Sequence, residues 1–130
     1  MTDPSPANHR LPENIRTGAR IALVLVTAII LWATLSPDVS PPGSGLPSSD
    51  KLWHILAFVV WAGLVRLAWR GPVWAIIAAG AVFGGAIEII QPLTGRTAEL
   101  ADLVVDVAGC ALGASIAGAV LRWWPGAFDS

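Results

Sequence analysis

Long apolar runs alternate with short polar breaks along this chain, and each break carries residues that end helices. Ile21 to Leu35 is uninterrupted and apolar, preceded by Arg10, Arg16 and Arg20 and closed by Ser36-Pro37. Ser36 to Ser49 collects prolines, glycines and serines, the composition of a loop. A second run extends from Lys51 to Trp69 and ends at Arg70-Gly71-Pro72. A third covers Val73 to Gln91, Pro92 to Thr97 reads as a turn, and a fourth runs from Ala98 to Trp124. A membrane-crossing helix needs about 20 apolar residues at about 1.5 Å each. The later runs lie near or above that length, and the first, about 17 residues once Ala19 and Arg20 extend it by snorkelling, is short but sufficient. A secretory signal would also show a basic flank and an apolar centre, but no A-x-A cleavage site follows this one. A retained first span is therefore expected.

Glycines repeat at helical spacing in the last two runs. Gly80 and Gly84 lead to Glu88 in steps of four, and Gly109 and Gly113 follow Asp102 and Asp106 on one stripe. Small residues at this spacing let helix backbones approach closely in a membrane. The simplest hairpin packs the two glycine stripes together, which sets Glu88 opposite Asp102 and Asp106 with Arg96 in reach of both. Pairing with a second copy would use the same stripes, so the oligomeric state stays open.

Composition narrows the class. Of 130 residues, 55% are apolar and only 13% charged, too few charges for a soluble domain of this length. Seven tryptophans accompany no tyrosine, and Trp32, Trp53, Trp69, Trp74, Trp123 and Trp124 fall near span ends, as in an interfacial aromatic belt. The net charge of −1 names no partner, and no nucleic-acid partner is expected. Cys110 has no second cysteine to pair with and is expected to pack inside the last span. Arg10, Arg16, Arg20, Arg66, Arg70 and Arg122 would share one side of a four-span bundle, leaving Lys51 and Arg96 on the other. The positive-inside rule then puts both termini in the cytoplasm. The expected fold is an all-α membrane protein, a four-transmembrane-helix bundle.

The chemistry gathers at the arginine-poor side. Asp50, Lys51 and His54 open the second span; Glu88 and Gln91 end the third; Arg96, Glu99, Asp102 and Asp106 lead into the fourth. Acids within apolar spans cost about 2.5–3.5 kcal/mol each on insertion scales, whereas a polar contact between spans returns about 1 kcal/mol. Fixing helix register is thus a weak reason to keep them. His54 could serve as general acid or base, and Lys51 with Arg96 could hold a phosphate or carboxylate. His54, Glu88, Asp102 and Asp106 could converge as ligands, yet no H-E-x-x-H or similar spacing is present, so neither metal nor cofactor is predicted. A proton-coupled exporter of four short spans would need an acid in its first span, and Ile21–Leu35 has none.

Taken together, DKLWHILAF at Asp50–Phe58, GGAIEIIQPLTGR at Gly84–Arg96 and DLVVDVAGCALG at Asp102–Gly113 resemble the VanZ-like family of small bacterial membrane proteins. These match its D-K-x-x-H-x-x-x-F, E-x-x-Q with a following Arg, and D-x-x-x-N-x-x-G-x-x-x-G elements in order. Asp106 stands where that family usually has Asn. A protonated Asp offers the same donor and acceptor as Asn, so a hydrogen bond from Asp106 to Glu88 or His54 is expected. The resemblance implies a cell-envelope location, a tie to resistance against the glycopeptide teicoplanin, and an envelope lipid or glycopeptide-related ligand beside the bilayer. It supplies no reaction. The binding set it suggests is Asp50, Lys51, His54, Glu88, Gln91, Arg96, Asp102 and Asp106, with His54, Glu88, Arg96 and Asp102 the candidates for catalysis. Residues 1–20 are expected as a disordered cytoplasmic tail, 21–124 as the membrane domain with spans at about 21–36, 51–69, 73–91 and 98–124, and 125–130 as a second tail.

Overall fold

A computed structural model of the chain describes residues 11–39 and 49–123. Four α-helices account for most of them: α1 (Glu13–Leu35), α2 (Ser49–Ala68), α3 (Val73–Ile90) and α4 (Leu100–Trp123), with a 3-10 turn at Gln91–Thr94 after α3. Each helix is long and apolar enough to cross a membrane. The protein is an all-helical, multi-pass membrane protein. At about 1.5 Å per residue, the 18 residues of α3 span about 27 Å and the 24 of α4 about 36 Å.

Helix α1 begins at Glu13, behind Pro12, well before the apolar run starts at Ile21. The expected tail of residues 1–20 is therefore helical from Glu13 onward; residues 1–10 lie outside the described part, as does the expected tail 125–130. Charged residues extend a helix when they are paired along it. Glu13 lies 3.5 Å from Arg16 and 3.6 Å from Arg20, one and two turns on.

The packing differs from a simple pair of hairpins. Helix α4 is pressed most closely against α2, and α3 takes the neighbouring face of α4. Gly109 and Gly113 lie on α2: a Cβ on Gly109 would stand 2.7 Å from the Ile55 carbonyl, and one on Gly113 would overlap the Val59 backbone. Gly80 and Gly84 meet the side chains of Cys110 and Asp106 instead. The expectation that the two glycine stripes pack together is thus corrected. Residues 106 and 110 lie about 60° round the helix from 109 and 113, so α4 offers one face to each neighbour.

Phe58, Trp61 and Phe83 form an aromatic layer with ring centroids 5.3–6.1 Å apart. Trp61 donates its indole N–H to Thr27 Oγ1 at 3.1 Å, which ties α1 to this layer. Trp32, Trp53, Trp69, Trp74 and Trp123 are exposed near helix ends, while Trp61 is buried. Cys110 is wholly buried beneath Gly80.

Candidate functional site

The start of α2, the end of α3 and the start of α4 come together at one end of the bundle. His54, one turn into α2, sits between two carboxylates of α4. Its Nδ1 is 2.9 Å from Asp106 Oδ1, and its Nε2 is 3.7 Å from Asp102 Oδ2. Asp102 and Asp106 are one turn apart on one stripe of α4; Asp106 sits where α2 and α3 meet, with one oxygen toward each. Asp106 is 0% exposed and lies about 9 Å along α4 from its first residue. Its Oδ2 faces Gly84, where a Cβ would come within 2.9 Å. Gly84 therefore gives the carboxylate the room it occupies.

Nearer the helix ends, the Lys51 ammonium lies 3.0 Å from Glu99, 3.5 Å from Asp50 and 3.8 Å from Asp102. Carboxylate oxygens of Asp50, Glu99 and Asp102 lie within 4.8 Å of one another around it. A series of polar side chains thus runs from half-exposed Asp50 and Glu99, through Lys51, Asp102 and His54, to buried Asp106.

The remaining candidates take other partners. Glu88 Oε2 accepts the backbone N–H of Glu99 at 2.8 Å, tying the end of α3 to the start of α4. It lies within electrostatic range of Asp102, His54 and Asp106 but is not the hydrogen-bond partner of Asp106; His54 is. Gln91 is buried and donates to the Thr34 carbonyl at 3.1 Å, which holds the end of α1. Arg96 does not reach the acids. Gly95 turns the chain with φ 81°, and the Arg96 guanidinium donates to the carbonyls of Val39 at 2.9 Å and Ser36 at 3.4 Å. Carbonyls beyond a helix C-terminus are unpaired acceptors, and a guanidinium satisfies them well. The expectation that Arg96 lies in reach of Glu88 and of Asp102 and Asp106 is corrected: Lys51 is the cation among the acids.

Glu99 was not among the residues singled out for binding, yet it makes the shortest contact to Lys51. Its place three residues before Asp102 is the available signal, since both then open the same helix.

With this geometry in view, the family comparison is decisive. The VanZ/LLP1 family model matches residues 6–122, almost the whole chain. The chain belongs to the VanZ/LLP1 family. No curated protein and no solved structure matches it. The match spans all four helices, so the polar end described above lies within the part that defines this VanZ-like protein.

The opposite end has another character. Arg66 donates to the Gly71 carbonyl and lies beside Gly118, while the Arg20 guanidinium stands 5.6 Å from the centroid of the Trp69 ring. Arg16, Arg20, Arg66, Arg70 and Arg122 share that end.

Proposed function

We propose that this VanZ-like protein works at the outer face of the bacterial inner membrane, where its polar end receives an envelope lipid or glycopeptide-related ligand and lowers sensitivity to teicoplanin. The observation that carries this reading is the continuous polar series from Glu99 and Lys51 to His54 and buried Asp106. The arginines at the other end favour a cytoplasmic placement for that end and for both termini. Family membership supports an envelope role but no reaction.

Binding is favoured over turnover. A general base needs an oriented imidazole, and His54 has one; an enzyme acting on a lipid-linked or phospholipid head group also needs cations for phosphate. Arg96 is engaged with carbonyls, and Lys51 is surrounded by acids. An exporter is the more distant reading. Phe58, one turn below His54, begins the aromatic layer, so the polar series opens to one end of the bundle and is floored at the other.

The test has two parts. Expression in a susceptible bacterium should raise the inhibitory concentration of teicoplanin, and a broad gain against unrelated cationic dyes in its place would favour the exporter. In a Cys110→Ala background, Thr94→Cys should react with an impermeant maleimide in intact cells and Gly71→Cys should not. The reverse labelling would overturn the orientation.

A further inference from the structure

We propose that the mouth of the polar end is an ammonium-binding site, occupied in this structure by the protein's own Lys51 side chain. A protonated primary amine, carried by an aminophospholipid head group or by a soluble amine-bearing molecule, competes for it. The proposal rests on reading this end as a ligand site; it does not rest on the resistance phenotype.

Two independent observations carry it. The first is charge. Asp50, Glu88, Glu99, Asp102 and Asp106 gather here against Lys51 and His54, because Arg96 has turned away to the Ser36 and Val39 carbonyls just past α1. Phosphate or carboxylate is a poor fit to such a surface, and a cation is a good one.

The second is hydrogen bonding. Buried side-chain atoms without a hydrogen-bond partner divide by type between the two ends of the bundle. At this end, among the described residues, all of them are acceptors: Glu88 Oε1, Gln91 Oε1, Asp102 Oδ1 and Asp106 Oδ2. The donors are all at the arginine end, on Arg16, Arg20 and Arg66. Asp102 is buried and aims Oδ1 at the Lys51 ammonium from 3.8 Å, too far for a hydrogen bond. Asp102 Oδ1 is the one of the four that faces Lys51 at the mouth; Gln91 is seated on the end of α1, and Asp106 Oδ2 faces Gly84 deeper in the bundle. Leaving a buried acceptor unsatisfied costs about 1–3 kcal/mol, so an ammonium that seats closer to Asp102 than Lys51 does is favoured.

Lys51 shows which cation suits the cluster. Its contacts of 3.0 and 3.5 Å are those of an ammonium, whereas a divalent ion needs oxygens at about 2.0–2.6 Å and repels the lysine beside it. Exchanging one ammonium for another leaves the charge of the mouth unchanged. Lys51, Asp50 and Glu99 have side chains 32%, 52% and 50% exposed, so the lysine has room to swing out on its flexible stem.

The experiment uses the full chain in phosphatidylcholine nanodiscs, with phosphatidylethanolamine titrated in and retained lipid counted by native mass spectrometry. The two lipids differ in N–H donors and not in positive charge. Phosphatidylethanolamine should be retained over phosphatidylcholine by about fivefold or more, the ratio of about 1 kcal/mol. Lys51→Met should increase that preference and Glu99→Gln should reduce it, both with wild-type elution from a sizing column. Asp50→Asn replaces Glu99→Gln if the latter fails to fold. Displacement by millimolar ethanolamine but not choline, without lipid preference, would assign the site to soluble amines and still support the proposal. Equal retention of both lipids with no effect of ethanolamine overturns it. So does manganese binding to the wild type without any amine preference. Because the readout is binding, a failed resistance assay and a failed proposal remain distinguishable.

Discussion

The two ends of this bundle solve the problem of charge in a membrane protein in opposite ways. At the arginine end, long side chains find partners close in sequence or lie on aromatic faces: Glu13 with Arg16 and Arg20, Arg66 on Gly71, Arg20 over Trp69. Such groups snorkel to the interface and anchor the helices there. At the other end, charged groups pair across the fold, from half-exposed Lys51 and Glu99 down to buried Asp106. His54 meets Asp106 from 52 residues away, and Lys51 meets Glu99 from 48. The first arrangement survives the loss of any one member, because water and head groups replace it. The second does not, because a buried partner is left uncompensated. Anchoring accounts for one end; the ligand site proposed above would account for the charge kept at depth at the other.

The comparison is broken most severely at Asp106. Asp106→Leu strands His54 against a hydrocarbon, and removing one partner of a buried pair costs about 3–5 kcal/mol. Membrane abundance and activity should both fall. Asp106→Asn keeps the shape and the contact to His54, and abundance should stay near wild type. Equal abundance of the Leu and Asn variants, read by quantitative blotting of membrane fractions, would mean that the pair does not hold the end together.

Next in size is Gly113→Leu. The side chain would overlap the Val59 backbone, which cannot move without parting α2 from α4. Overpacking of this kind costs about 1–3 kcal/mol or more, and a loss of detergent-resistant folded protein by thermal melting is expected. Gly85→Ala, on an open face of α3, is the matched control and should melt as wild type does.

The smallest effect is expected at the arginine end. Arg20→Ala removes a cation–π contact and an exposed ion pair, each worth about 1 kcal/mol or less. Abundance and thermal stability should barely change. A loss as large as that of Asp106→Leu would erase the distinction between the ends.

Much of the fold was legible in the sequence because hydrophobic length and proline-glycine breaks are local signals. Four spans follow from them, and the helix ends at Leu35, Ala68 and Ile90 fall within a residue of the expected limits. The start of α1 was not legible, since Glu13, Arg16 and Arg20 read as polar tail until their mutual pairing is seen. Helical spacing placed Asp102 and Asp106 on one face, but spacing does not name the helix opposite. That is why spacing alone sends Gly109 and Gly113 to α3 when they pack on α2, and leaves both Glu88 and His54 open as partners of Asp106. Arg96 departs from expectation for a related reason. Its direction is set by one left-handed glycine, Gly95, and reading a turn at Pro92 to Thr97 does not say which way Arg96 leaves it. Glu99 looked like an ordinary helix-start acid until α2 brought Lys51 to it.

The central claim is that the polar end, which fastens the helices, is also the working site proposed above. His54→Gln, which keeps a hydrogen-bond donor for Asp106 and removes the imidazole, tests it most directly, measured as teicoplanin resistance divided by membrane abundance in the same cells. The imidazole lies between Asp102 and Asp106 with its side chain 12% exposed, one turn of α2 from Phe58 in the aromatic layer. Resistance should fall to the level of cells without the protein, with abundance within about twofold of wild type. Wild-type resistance at normal abundance, or disappearance of the protein from the membrane, would contradict the account.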